Sequence, residues 1–583
     1  MSDTLASCES VSLGKLVLRL DRNGAFAREI SVGGEELFRG IGFVVRDANW
    51  GTPVLTSDAI LSRQSDRATV KSGGELDMSG GDLNWSAEWS ITEGGLEAKG
   101  RASSVTGFHT NRTGFVVLHS LGATRGRPVK VFHPGGSIEE TTFPDLVSPH
   151  QPFFDIEALE YTTAAGNRLR LSFSGEVFET EDQRNWTDAS YKTYCRPLRL
   201  PYPYRIGPST VIDQSVRLEI LAVTPVGSRP PRAAPWIEQT AVLPVLGTSL
   251  PPGPLVPKQL AALKALALGF TAVEVDVSYE DGLATASERI VTAPGPLRID
   301  IRKSEEKKTL AAVTTLAPLL ANKAIVGVSL WDAEDATIAA ARAGAPNIRI
   351  GGGTGAFFTE LNRLSHWPAA DYLTWTSNPT VHGSSDDTIG ETTESLVDII
   401  RTARARSSAA RFQIGPMTLG LRYNPNSTTA EGRRMASPPD PRQDEMIAAS
   451  WAVGTIAGFL DSVVETLAFF EPIGPKGLLS EHGSFSPAAH VLLRLSPYAG
   501  AGCKVSVIRW PGTPRAVGLL IKAPGAFVLC FAHPREEEFT ISLPPGVWAR
   551  AERLSTSGFV DIPLREFRAE RFGVAWLTAE GEP

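Results

Sequence analysis

Most of the marks that sort enzymes and membrane proteins at sight are missing from this sequence. Its four cysteines, Cys8, Cys195, Cys503 and Cys530, lie far apart among 583 residues and form no C-x-x-C pair. That usage reads as reduced thiols rather than a disulfide framework. No stretch approaches the ~18 uninterrupted apolar residues of a membrane-spanning helix, so no membrane association is expected. The opening MSDTLASCES has neither the basic start nor the apolar run of a secretion signal, and a cytoplasmic protein is the expectation. The N-x-[ST] sequons beginning at Asn84, Asn111, Asn185 and Asn426 are then chance matches. A positive excess is also lacking: 57 Lys and Arg stand against 64 Asp and Glu, a net charge of −7, which offers nucleic acid no basic face. There is no G-x-S-x-G elbow, no H-E-x-x-H helix, no His/Cys spacing for zinc, no Rossmann fingerprint and no P-loop. Serine- and zinc-hydrolase mechanisms lack their signatures, no cofactor or metal is implied, and a carboxylate-based hydrolase is what remains.

What is present is ordinary globular composition, 42% hydrophobic and 21% charged, at a length that calls for several domains. Residues 1–224 alternate in short runs, such as 15–20, 42–46, 88–91 and 114–119, between Gly-, Asn- and Ser-rich turns. That rhythm predicts an N-terminal β-sandwich whose last strand is 217–223. A Pro-rich connector, 225–235, closes it. Residues 235–490 then switch to strand, loop, helix. Apolar strands are expected near 241–247, 271–277, 297–301, 325–330, 347–351, 371–376, 410–416 and 462–470, with helical patterns between them, for instance at 257–268, 305–321, 333–343, 388–404 and 440–457. Eight β/α repeats in about 250 residues predict a central (β/α)8 TIM barrel. Thr388 followed by Glu391 has capping-box spacing at a helix start. Residues 491–583 return to short strands (504–509, 517–522, 527–531, 539–543) and predict a small C-terminal β-sandwich.

Barrel active sites lie at the C-terminal ends of the strands. The candidates there are Asp276, Ser278, Glu280 and Asp281 after the second strand and Trp331 and Asp332 after the fourth. Gly351-Gly-Gly-Thr-Gly355, Glu360, Asn362 and Arg363 follow the fifth, and Asn378 and His382 the sixth. Arg422 and Asn424 follow the seventh, and Glu471 the eighth. Glu471 follows Phe469 and Phe470, and apolar company of that kind raises a carboxyl pKa toward the acid–base range. His382 stands in a loop, suited to orienting a hydroxyl or shuttling a proton, or merely to fixing the loop. Asp386 and Asp387 fit a structural role at a helix N-terminus. The glycine run is able to present backbone N–H groups to an oxyanion or phosphate, or is needed only for tight packing.

The densest polar cluster lies outside the barrel. Residues 181–194, Glu-Asp-Gln-Arg-Asn-Trp-Thr-Asp-Ala-Ser-Tyr-Lys-Thr-Tyr, carry three carboxylates, two cations, two amides and three aromatics. Aromatic faces with planar polar groups bind sugars, so Asp182, Arg184, Asn185, Trp186, Asp188 and Tyr194 are candidate substrate contacts on a loop expected to cover the barrel mouth. The alternative is a domain interface.

The chain resembles the D-apionate lactonase family in Val45-Arg-Asp-Ala-Asn-Trp-Gly51, Asn111-Arg-Thr-Gly-Phe115, Ser148-Pro-His-Gln-Pro152 and the run 181–194. The barrel adds Gly352-Gly-Thr354, Thr359-Glu-Leu-Asn-Arg363, Asn378-Pro-Thr-Val-His382 and Pro416-Met-Thr-Leu419. The resemblance implies a glycoside-hydrolase-like architecture and hydrolysis of a sugar lactone, D-apionolactone to D-apionate, in apiose catabolism. A small-molecule lactone is then the partner. Chemically, opening a lactone needs an activated water, donors for the oxyanion and a proton for the ring oxygen. Glu471 is expected as acid or base, with His382 or a carboxylate of 182–188 opposite it, and Asn362, Asn378, Arg184 and Trp186 on hydroxyls. A retaining glycosidase stays open as an alternative, since Glu360 and Glu471 would fall after strands four and seven if the strand count is one too high. A non-catalytic carbohydrate-binding protein is the third reading.

Overall fold

The computed structural model describes residues 2–4, 8–48, 50–78, 81–224, 235–279, 281–302, 304–407, 411–422, 438–500, 502–510, 513–523, 526–533, 543–544, 548–564, 568 and 570–580. The connector 225–234, Glu280, Asn424, Asn426 and all of the expected strand 539–543 except Leu543 lie outside the described residues. The chain divides into two compact units, residues 1–183 with 189–230, and residues 184–188 with 231–583.

The first unit is a sandwich of a ten-stranded and a nine-stranded sheet, with antiparallel pairing throughout. Its strands alternate as a half-buried sheet must. In Gly81–Thr92 the residues Leu83, Trp85, Ala87, Trp89 and Ile91 face the core, while Ser86 and Glu88 face outward. Strands outrun the apolar runs that announced them, as Glu35–Asp47 and Phe108–Ser120 show, because polar residues continue the pairing beyond the core. The last strand is Val211–Ala222.

The second unit holds a closed barrel of eight parallel strands: β1 (Val245–Leu250), β2 (Phe270–Val275), β3 (Leu297–Ile301), β4 (Ile325–Leu330), β5 (Ile350–Phe357), β6 (Tyr372–Thr376), β7 (Phe412–Met417) and β8 (Val464–Phe469). β1 pairs with β8 and closes the ring. Most strand residues are buried on both faces, as parallel sheets require. The interior is more polar than branched-apolar barrel layers. Arg298 and Asp300 of β3 form a fully buried pair at 2.8 Å, and Arg298 also donates to the carbonyls of Gln413 and Gly415 on β7.

The outer helices in the described residues are α1 (Pro257–Leu266), α2 (Gly282–Thr292), α3 (Glu306–Leu320), α4 (Asp335–Gly344), α5 (Phe358–Asn362), α6 (Asp386–Thr392), α7 (Leu396–Arg406), α8 (Met446–Gly458) and α9 (Pro487–Leu495). None is long and apolar enough to cross a membrane. The single helix expected at 388–404 is two, α6 and α7. The expected capping box is corrected as well. Ser385 is the N-cap and takes the N–H of Thr388, while Glu391 pairs with Arg515. Asp386 and Asp387 sit in the first turn, where the helix dipole favours them, and Asp386 pairs with Arg442 and Arg571.

A seven-stranded antiparallel sheet forms the C-terminal β region, in the order Trp236–Val242, Lys504–Trp510, Thr513–Ala523, Ala526–Ala532, Val574–Glu580, Trp548–Ser555, Gly558–Ile562. Trp236–Val242 is a correction, because the pattern at 241–247 looks like the first barrel strand. Its early part instead pairs with Lys504–Trp510, and the barrel begins at Val245. This sheet packs on α8 and explains why that helix is apolar all round.

Candidate active site

Strand numbering decides one question immediately. Glu360 follows β5 and Glu471 follows β8 of a closed eight-stranded ring, whereas β4 ends in Trp331-Asp332 and β7 in Met417-Thr418. The two glutamates therefore do not take the strand-four and strand-seven places that the glycosidase alternative needed.

At the ends of β5 and β6 the five residues 184–188 join the barrel unit. Arg184 is fully buried and pairs with Asp398 of α7 at 2.8 Å. Asn185 accepts from Asn362 Nδ2 at 2.9 Å. Thr187 adopts φ 76°, a conformation that branched residues avoid. Two bonds hold it there: its Oγ1 donates to the Asn378 carbonyl at 2.8 Å, and its own carbonyl accepts from Ser395 Oγ at 2.6 Å. Ser395 stands in the break between α6 and α7, so the interrupted helix is what supplies that donor. Trp186 is buried, meets the His382 ring edge-on at 5.4 Å, and lies under the Arg363 guanidinium at 5.0 Å. Its Nε1 has no hydrogen-bond partner among the described residues.

These anchors aim Asp188 at His382. Asp188 Oδ2 lies 2.7 Å from His382 Nδ1, both side chains being mostly buried. A carboxylate on Nδ1 fixes the proton there and leaves Nε2 as the basic nitrogen. Glu360 sits on α5, near Arg363 and Asp332. Burial pushes its carboxyl above the ordinary range, Arg363 opposes the rise, and Asp332 adds to it.

A second group gathers at the ends of β2, β3, β7 and β8. Glu471 is half-buried, and burial raises its carboxyl above the ordinary range, against Arg422 and Lys476 and with help from Glu274. Glu274 is buried at the end of β2. Burial opposes its ionisation, but ion pairs with Arg422 and with Arg302 (2.8 Å) outweigh it and hold its pKa low. Arg422 also lines a cavity with 355–357, 376–378, Pro416 and Thr418, so it faces the ends of β5, β6 and β7. Trp186, His382 and Glu471 thus all lie at the C-terminal end of one barrel.

The other expected substrate contacts already have partners within the protein. Arg184 is fully buried and paired with Asp398. Asn185 and Asn362 are buried and bond to one another, and Asn378 Nδ2 is taken by the carbonyls of Thr418 (2.9 Å) and Leu419 (2.6 Å). Asp182 and Tyr194 belong to the sandwich unit. Asp182 accepts the Ser148 N–H at 2.9 Å, and Tyr194 donates to Glu179. The glycine run serves packing: a Cβ on Gly351 would enter the Tyr372 ring and one on Gly355 the Trp331 ring, and Gly353 has φ 115°. Arg422, Glu274 and Asp398 find partners that are distant in the chain, so no local sequence pattern pairs them. Among the described residues no three His, Cys, Asp or Glu side chains gather as metal ligands.

Comparison with known proteins adds the following. Residues 1–223 match the family described as D-apionate lactonase, N-terminal domain, and residues 329–500 match D-apionate lactonase, TIM barrel domain. A D-apionate lactonase from Brucella anthropi is 32% identical over 513 residues, covering 80% of this chain and 83% of that protein. Among solved structures, a GH30 endoxylanase from Clostridium papyrosolvens C71 aligns at 9% identity over 60% of this chain and 100% of its own, with TM-score 0.40. A GH36 α-galactosidase, AgaA from Geobacillus stearothermophilus, aligns at 8% identity over 99% of this chain and 100% of its own, with TM-score 0.28.

Proposed function

The chain belongs to the D-apionate lactonase family, and from that premise we propose that it hydrolyses the lactone of D-apionate at the mouth of its barrel. The activity is that of a carboxylic-ester hydrolase acting on a small sugar lactone in apiose catabolism. The observation that carries the site assignment is the 2.7 Å contact between Asp188 and His382, made by a segment that joins the barrel unit.

In this reading His382 Nε2 takes a proton from water as the oxygen attacks the lactone carbonyl. Asp188 holds the tautomer and balances the imidazolium that forms. Arg422, fixed by Glu274, supplies positive charge where the tetrahedral oxyanion develops. Glu471 then donates to the departing ring oxygen. Its burial suits that role, because a raised pKa keeps a carboxyl protonated where an ordinary glutamate is ionised. Trp186 offers an apolar face and its unpartnered Nε1–H to the sugar. Glu360 stands by as a second protonatable carboxyl beside Arg363.

The test is acid release from D-apionolactone, followed by pH-stat, beside aglycone release from aryl glycosides. Wild type is expected to release acid and no aglycone. His382→Gln and Glu471→Gln are each expected to lose about two to four decades of turnover. Aglycone release without lactone opening would overturn the reading.

A further inference from the structure

Arg112 of the sandwich unit is 5% exposed, yet among the described residues its guanidinium has no carboxylate partner and its Nε is buried without a hydrogen bond. Its contacts are aromatic faces, the Tyr194 ring at 3.8 Å and the Trp50 ring at 5.6 Å. Arginine is almost never buried unpaired, because the cost of desolvating the charge has nothing to offset it. Cation–π contact recovers only part of that cost.

A second cation compounds the excess. Lys192, also 5% exposed, lies 5.2 Å from the same Tyr194 ring and pairs with Glu181. Burial, then Arg112 and Arg46 against the pull of Glu181, lower its pKa to about 8. Glu179 does not help, since it accepts from the Tyr194 hydroxyl and the Leu198 N–H. Local anatomy directs Arg112 into this place. The pairing with strand Glu35–Asp47 slips between Thr110 and Arg112, and Asn111 Nδ2 donates to the Ala48 carbonyl at 3.1 Å. Passage 148–152 reaches the same strands: Gln151 donates to the Tyr194 hydroxyl and Asp182 accepts from Ser148. Tyr202, 47% exposed, meets Trp50 edge-on at 5.3 Å at the outer side of the cluster.

We propose that Arg112, with Lys192 beside it, seats the carboxylate of a small polyhydroxy acid against the faces of Trp50 and Tyr194. A guanidinium presents paired donors that match the two oxygens of a carboxylate, and the rings suit the C–H faces of a sugar acid. That the anion is a sugar acid rests on the lactonase reading; that an anion is needed does not.

Titration calorimetry on the full chain, with D-apionate, D-gluconate and inorganic phosphate as separate probes, tests this. Wild type is expected to bind a sugar-acid carboxylate, with Arg112→Met at least about tenfold weaker and Arg112→Lys between them. Without ligand, Arg112→Met should melt no lower than wild type, because an unpaired buried charge is removed. Loss of the midpoint with unchanged affinity would mean a structural arginine and overturn the proposal. Equal binding by the Met variant, or binding of phosphate alone, would overturn it too. Acid release from the lactone, measured on the same preparation, fails or succeeds independently of these outcomes.

Discussion

Asp188→Asn removes one charge and almost no volume, so it isolates what the carboxylate does for His382. In wild type the 2.7 Å contact leaves Oδ2 only as an acceptor, which places the proton on Nδ1 and the lone pair on Nε2. An asparagine amide is able to donate to Nδ1. The imidazole then holds its proton on Nε2, where it cannot accept one from water. Losing a general base costs about two to four decades of rate, or roughly 3–5 kcal/mol of barrier at ~1.36 kcal/mol per decade. Asp188 is only partly exposed (12%), so solvent does little to restore the tautomer. Binding is expected to survive, because neither group is asked to hold the ground-state lactone. The assay is initial-rate pH-stat hydrolysis of D-apionolactone, with thermal melting as a control on folding. The expected result is kcat down at least about a hundredfold with KM within about threefold. A folded variant with kcat within fivefold of wild type would refute the dyad.

Arg184→Met should cost about 3 kcal/mol in denaturant unfolding, the lower end for a broken buried pair, because Arg401 still reaches Asp398 at 3.2 Å. Arg184→Met with Asp398→Leu should recover most of that loss, and failure to recover would place the destabilisation elsewhere. Gly355→Ala should destabilise by about 1–3 kcal/mol and lower turnover, since the new methyl displaces the Trp331 ring; melting and rates check both. Burial raises the Glu471 pKa, so its contribution to stability is complete below the ordinary carboxyl pKa and is lost as pH rises through the folded value. Glu471→Gln should therefore gain in melting temperature over wild type as pH goes from 4 toward 7, and a constant difference would contradict the shift.

The barrel was legible because parallel strands are continuous apolar runs. β2, β3, β4, β6, β7 and β8 fall within a few residues of their expected places. The first strand was misplaced because Trp236–Val242 has the same composition but pairs in the terminal sheet. Helix α2 carries a weaker sequence signal, because its buried face includes Arg289, a charge that breaks the apolar period. Within the site, His382, Asp188, Glu471 and Trp186 each stood out by residue type, but their partnerships did not. Asp188 and His382 are 194 residues apart in the chain. Arg184 looked like a sugar ligand because nothing nearby in sequence reveals Asp398 as its counter-charge. Glu274 was hidden inside the apolar run of β2, and its role shows only once Arg302 and Arg422 arrive from other strands.

The central claim is that His382 and Glu471 serve one lactone in successive steps, attack and ring opening. The most direct measurement is kcat for His382→Gln, Glu471→Gln and the double variant on D-apionolactone. If the steps are sequential, the slower one sets the rate, and the double variant should fall little below the worse single variant. Losses that multiply in full, or a single variant with normal turnover, would contradict the account.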